Sequence, residues 1–273
     1  MKLSAIISCQ STVFEAVSFE KNLEKSIKKM KEIGYQGIEL AIRNPKDIKI
    51  DEIKRIVNDS SMPVIAIGTG QAFLDEGISL SDLNREIRKR AVERFRNQIE
   101  FAAEFNAQVI IGLIRGKSKK EKEIYARKNL LESLKICDEF AKKKNVILAI
   151  EPLNRYETNL VNNAYQAIQL IKELKGSQFR ILLDTFHMNI EEVNLLKSIE
   201  ISKNYLSHFH VADSNRYAPG KGHINFLSIL DCLKKIGYQK FISPEVLSIP
   251  DFNEAMKQSY NYIFSLINKN NKK

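Results

Sequence analysis

Val146-Ile147-Leu148-Ala149-Ile150-Glu151 is an apolar run that stops on a carboxylate. Ile181-Leu182-Leu183-Asp184 repeats the arrangement, Leu206-Ser207-His208-Phe209-His210-Val211 carries two imidazoles, and Phe241-Ile242-Ser243-Pro244-Glu245 stops on a carboxylate again. Short apolar runs, several rich in β-branched residues, are expected of strands buried on both faces, as in a parallel sheet covered by helices. This predicts strands over 146–150, 181–183, 206–211 and 241–243. Toward the N-terminus, similar runs predict strands over 3–7, 37–40, 64–67 and 109–113.

Helical periodicity fills most of the gaps. Leu23, Ile27, Met30 and Ile33 share a face, as do Ile87, Ala91, Phe95, Ile99 and Ala102, and then Leu130, Leu134, Cys137 and Ala141. Ala164, Ala167, Ile168 and Ile171 continue the pattern, followed by Phe226, Ile229, Leu230 and Leu233 and by Met256, Tyr260, Ile263 and Ile267, with a weaker helix over 191–202. Gly34 and Gly237 stand where helix C-caps belong. Eight strands, most followed by a helix and none set off by a Pro/Gly/Ser linker, predict a single closed (β/α)8 TIM barrel over residues 1–268, with a basic tail at 269–273. A doubly wound open sheet is the alternative.

Bulk composition narrows the function classes. The chain has 273 residues, 44% hydrophobic and 28% charged, enough for one sizeable core. No apolar stretch approaches the roughly 20 residues of a membrane span. The short apolar start reads as a first strand, not a signal peptide. Three scattered cysteines, Cys9, Cys137 and Cys232, fit a reduced, cytoplasmic protein. The net charge of +10 is spread over many lysine-bearing segments without a basic stripe interleaved with aromatics, so a solvated surface is expected, and no nucleic-acid or membrane partner.

In a (β/α)8 barrel the active site lies at the C-terminal ends of the strands. The last four strands deliver Glu151, Asp184, His210 and Glu245 to one rim. Any one of these alone reads as a helix cap or an ion-pair partner. Together they are costly to desolvate unless a cation joins them, and three carboxylates with one imidazole suit Mn²⁺, Mg²⁺ or Co²⁺. His208 and His210 share a strand face. Both could ligate, and His210, nearer the strand end, is the expected ligand, with His208 packing beside it. All four histidines fall between residues 187 and 223. Glu39 could reach a substrate or buttress a neighbour. Gly68-Thr69-Gly70-Gln71-Ala72-Phe73 begins like a dinucleotide fingerprint but lacks the third glycine, and reads as a tight turn. Gly220-Lys221-Gly222 reads equally as a phosphate cradle or as a flexible turn over the site.

Four segments together resemble a known family: Glu151-Pro-Leu-Asn154-Arg155-Tyr-Glu157, Asp184-Thr-Phe-His187-Met, His208-Phe-His210-Val-Ala-Asp-Ser-Asn-Arg216, and Pro244-Glu245. In order and spacing they are similar to the D-tagatose 3-epimerase/D-psicose 3-epimerase family, of xylose-isomerase-like fold, over nearly the whole chain. Ala66–Ala72, Ile110–Gly116 and Asn215–Gly220 look like the branch that epimerises 5-keto-L-gluconate. The resemblance implies one divalent metal, typically Mn²⁺, on Glu151, Asp184, His210 and Glu245, and a substrate held by Glu157, His187 and Arg216. It also implies a homo-oligomer, dimer or tetramer.

The expected reaction inverts the carbon beside a ketone through an enediolate, with Glu151 and Glu245 as the acid/base pair, on a small sugar or sugar acid. A keto-sugar acid such as 5-keto-L-gluconate is the first expectation, with Arg43, Arg115 or Arg155 as candidate carboxylate readers. A neutral ketose 3-epimerase and an aldose–ketose isomerase are the alternatives. Endonucleases acting at abasic DNA sites share the barrel but use a histidine-rich zinc cluster that four histidines do not supply, and a non-catalytic sugar-binding module would not need the acid/base pair.

Overall fold

The computed structural model describes residues 1–16 and 22–269. Among these, eight parallel strands close into a barrel in chain order. They are β1 Lys2–Ser8, β2 Gly37–Ala41, β3 Val64–Gly68, β4 Gln108–Ile111, β5 Leu148–Ile150, β6 Phe179–Asp184, β7 Leu206–Val211 and β8 Phe241–Pro244. The helices are α1 Leu23–Ile33, α2 Ile50–Ser60, α3 Gln71–Glu76, α4 Arg85–Ala103, α5 Glu123–Lys144, α6 Ala164–Leu174, α7 Thr185–Glu191, α8 Leu195–Ser202, α9 Phe226–Lys235 and α10 Phe252–Lys269. The expected (β/α)8 TIM barrel is what the chain forms. Of the basic tail expected from 269, Lys269 closes α10 and 270–273 lie outside the described residues.

Strand parity decides what enters the barrel. Alternate strand residues face opposite sides. Ile38 and Leu40, Leu148 and Ile150, Ile181 and Leu183, Phe209 and Val211, and Ile242 pack in the main core between sheet and helices. The intervening residues turn inward. Ala66, Ile110, Ala149 and Leu182 form a small apolar plug, and Glu39, His208, His210 and Ser243 form a polar layer beside it. Glu151, Asp184 and Glu245 continue the inward parity of Ala149, Leu182 and Ser243, which brings all three carboxylates to the mouth.

Several element boundaries depart from the sequence reading. β4 stops at Ile111 and a 3-10 turn, Leu113–Arg115, replaces its expected end. The break falls at Gly112, where a Cβ would lie 2.8 Å from Glu151 Oε2. β5 starts at Leu148, two residues later than expected. α2 was not foreseen, although Ile53 and Ile56 form its buried face, because Lys, Asp, Asn and Ser surround them. The weak helix expected over 191–202 forms as α8 from Leu195, and a further helix, α7, precedes it. α7 begins directly after β6, where Asp184 caps it by accepting from the Phe186 N–H, and α8 follows after a short break.

Candidate active site

Glu151, Asp184, His210 and Glu245 meet at the barrel mouth, all buried. Among the described residues, two groups of side chains offer metal-ligand atoms within 4.8 Å of one another: Glu151, Asp184, His187 and Glu245, and separately Glu39, His208 and His210, so that His187 and not His210 falls in the group with the three carboxylates. Hydrogen bonding separates the roles of the three imidazoles. His187 Nδ1 accepts from the Asn154 backbone N–H at 3.2 Å and lies 2.9 Å from the Asn154 amide nitrogen. Its proton therefore sits on Nε2, 3.7 Å from Asp184 Oδ2, and makes His187 a donor. Burial drives this imidazole down to about 3 against the pull of Asp184, so the ring is neutral.

His210 is arranged the other way. Its Nε2 bonds to Glu39 Oε2 at 3.0 Å, and His208 Nε2 bonds to the same oxygen at 2.9 Å. A carboxylate only accepts, so both Nε2 atoms donate. Burial would raise the Glu39 carboxyl, but the charge of His210 and the bonds from both rings outweigh it and hold Glu39 at about 2. This leaves His210 Nδ1 turned toward Glu151 Oε1 and Glu245 Oε2, 3.7 Å from each. His210 Nδ1 and Glu151 Oε1 are buried with no hydrogen-bond partner.

Unpaired buried polar atoms are rare and costly. Two of them facing each other across 3.7 Å, beside two more carboxylates, fit a shared cation. The electrostatics agree. Burial and the neighbouring Glu245 push the Glu151 carboxyl well above its ordinary range. Burial works against charge on His210, yet Glu39 and Glu245 overcome it and lift that imidazole well above its ordinary value. The site is short of positive charge, and Nδ1 is where a proton or a metal would supply it.

Arg216 supplies part of that charge. Its guanidinium bonds to Asp184 Oδ2 and Glu245 Oε2 and lies over the Phe186 ring at 4.7 Å. Its backbone is left-handed, with φ 64°, a conformation that costs a non-glycine residue about 1–3 kcal/mol. Asp213 holds that turn. Its carboxylate accepts from the backbone N–H of Ser214 at 2.8 Å, Gly220 at 2.8 Å and Ile224 at 3.1 Å. A Cβ at Gly222 would fall 2.3 Å from Asp213 Oδ1. The Gly220-Lys221-Gly222 loop is thus folded around an internal carboxylate, which takes the Gly220 N–H that a phosphate would need. Sequence reading passed over Asp213, whose one signal was a carboxylate two residues past a strand end.

Glu157, half-buried at the cavity edge, accepts from Asn154 Nδ2 at 2.9 Å and lies 3.9 Å from His187 Nδ1. The three arginines considered as carboxylate readers are all committed elsewhere. Arg115 is fully buried and donates to the carbonyls of Ile111, Glu151 and Val161 at 2.9, 2.8 and 3.3 Å. Arg155 is exposed and paired with Glu191, and Arg43 lies beside Asp75 and Glu76.

The sequence pattern of a family described as xylose isomerase-like TIM barrel matches residues 27–266. The chain belongs to that family. Its relatives include an L-ribulose 3-epimerase from Mesorhizobium japonicum, 29% identical over 93% of this chain and 85% of that protein. A D-psicose 3-epimerase from Ruminiclostridium cellulolyticum is 28% identical over 81% of this chain and 76% of its own length. Among solved structures, a 3-keto-D-glucoside 4-epimerase from E. coli superposes with a TM-score of 0.83 at 24% identity, over 97% of this chain and 100% of that one. The first two share sequence with the present chain, and the third shows the fold. Among the described residues no helix is long and apolar enough to cross a membrane.

Proposed function

We propose that this member of the xylose isomerase-like barrels is a sugar epimerase that inverts the carbon next to a ketone through an enediolate, with one divalent cation on Glu151, Asp184, His210 and Glu245. The observation that carries the reading is the unpaired buried couple, His210 Nδ1 and Glu151 Oε1, facing each other among carboxylates. The curated relatives, epimerases acting on sugars, support the reaction class. The oxygen-rich set suits Mn²⁺ first, then Mg²⁺ or Co²⁺. When bound, such a cation supplies Lewis-acid polarisation of a carbonyl and its neighbouring hydroxyl.

The chain's own residues do the rest. Glu151 and Glu245 follow β5 and β8, strands separated by two others around the barrel, and so reach the cavity from different directions. One takes the proton from one face of the carbon and the other returns a proton to the opposite face, with the roles exchanged in the reverse direction. His187, fixed as an Nε2–H donor by Asn154, and Arg216 place donors where negative charge develops on the enediolate oxygens. Glu157 binds a substrate hydroxyl at the cavity edge.

An uncharged keto-sugar is the substrate class the site supports best. The ionisable residues lining the cavity among the described residues are Glu39, Glu151, Glu157, His187, His210 and Glu245, and the guanidinium beside them, Arg216, is taken up by Asp184 and Glu245. A keto-sugar acid such as 5-keto-L-gluconate is the second reading. It is favoured by the resemblance of residues 66–72 and 110–116, because Gly68, Thr69, Gly70, Gln71, Gly112 and Leu113 of those segments form the cavity wall. The test is a panel of ketoses and keto-sugar acids incubated with Mn²⁺ in D₂O and followed by NMR. Deuterium is expected at the inverted carbon beside the ketone. Deuterium at C1 with aldose formation would replace epimerisation by isomerisation, and no exchange into any member would defeat the proposal.

A further inference from the structure

We propose that Gln71 determines specificity: its Oε1 accepts a hydrogen bond from a substrate hydroxyl, so the part of the sugar against the end of β3 is an uncharged, hydroxyl-bearing carbon. The inference rests on the sugar-epimerase reading and adds what this wall of the cavity recognises.

Gln71 is the first residue of α3, directly after the β3 end, and lines the cavity together with Thr69, Gly70, Glu151 and His210. It is 1% exposed. Its amide orientation is decided by Ser8, the last residue of β1. The Ser8 hydroxyl donates its only proton to the Gln10 carbonyl at 2.5 Å. Ser8 Oγ can therefore only accept, and it takes the Gln71 Nε2–H at 2.7 Å. Flipping the amide would set a carbonyl oxygen against an oxygen with no proton to give. Gln71 Oε1 is thus fixed as an acceptor, buried and without a partner.

The neighbouring side-chain hydroxyl is already used. The Thr69 hydroxyl is spent on the Ile110 carbonyl at 2.6 Å. A substrate carboxylate or ketone at this point would set acceptor against acceptor, whereas a hydroxyl would satisfy Oε1. Gln98 makes the comparison useful. It too carries an unpaired Oε1, but it sits on α4, bonded to the Ile42 carbonyl, and does not border the cavity. Of these two glutamines, Gln71 is the one whose unpaired oxygen belongs to a wall residue of the candidate active site.

The experiment measures kcat/KM and calorimetric binding with Mn²⁺ present, for wild type and Gln71→Met. The substrates are D-psicose, its 4-, 5- and 6-deoxy derivatives and 5-keto-L-gluconate. A site built to pair with a hydroxyl discriminates against an analogue lacking it. Gln71→Met is expected to lower kcat/KM about 10- to 100-fold for D-psicose and to leave one deoxy derivative unaffected, the one lacking the hydroxyl that Gln71 reads. An equal loss on every sugar, or no loss on any, overturns the proposal. Wild type alone keeps it testable if the variant does not fold, because wild type must disfavour at least one deoxy derivative, and equal rates on all of them count against it. Binding without turnover removes the epimerase reading while the binding arm still decides Gln71. A chain that neither binds nor converts any of these sugars overturns both.

Discussion

Glu39 sits on a strand far in sequence from the carboxylates it serves, yet it decides which nitrogen of His210 faces them. By accepting the Nε2–H it leaves Nδ1 for the proposed cation, and by accepting from His208 as well it anchors both rings of β7 to β2. Ser243 extends the network, 3.0 Å from His208 Nε2 and 2.8 Å from the Ser4 hydroxyl. A carboxylate behind a ligating imidazole fixes its tautomer and orientation, and losing such a partner costs about 10–100-fold in metal affinity. Glu39→Gln is therefore expected to weaken Mn²⁺ binding by about that factor, read by calorimetric titration of the metal-free protein. Affinity within about threefold of wild type would show that His210 needs no such support. At this scale the sequence was only partly informative. Glu39 was visible as a carboxylate on a strand, with its role open between substrate contact and buttress. Arg115 suited a carboxylate reader by residue type, but three main-chain carbonyls hold it inside the protein.

The loop between β7 and α9 shows how an element, not a single side chain, delivers Arg216. Asp213 gathers three backbone N–H groups of that loop, and the Arg216 carbonyl accepts from Leu247 at 2.9 Å, tying the loop to the segment after β8. The Ile224 N–H is buried, and a buried N–H left unpaired costs about 1–3 kcal/mol, enough to open a loop without unfolding a barrel. Asp213→Ala should speed hydrogen exchange at the amides of Ser214, Gly220 and Ile224 and lower kcat by about tenfold or more, while strand amides stay protected. Unchanged exchange at those three amides would mean that the loop is held by something else. Elements were legible where the periodicity was apolar, as in the long helices and most strands. They were not legible where a cap or a close approach made the boundary, as at Asp184 before α7 and at Gly112 after β4.

At the scale of the whole molecule, the four proposed ligands lie in or directly after four successive strands, β5 to β8, so a cation bound among them would tie half of the barrel ring together. A ligand that binds only the folded state at 100 times its Kd stabilises by about 2.7 kcal/mol. For a chain of this size that is a rise in Tm of roughly 5–10 °C. Scanning calorimetry with Mn²⁺ against a chelator should show the rise in wild type and a much smaller one in Glu245→Gln. Identical melting with and without Mn²⁺ would count against a shared site. The barrel itself was open to sequence reading because its repeat is local. A strand declares itself by a few consecutive apolar residues, a helix by a face that recurs every three to four.

Local order also placed the site, since parity along each strand and the rule that function gathers at strand ends put Glu151, Asp184, His210 and Glu245 on one rim. What sequence could not reach was which atoms are already spoken for. His210 finds its carboxylate 171 positions away, Gln71 finds Ser8 63 away, and Arg115 reaches a carbonyl 46 away. Hydrogen bonds saturate, and only the folded chain decides which donors and acceptors are used up and which are left to meet a metal or a sugar.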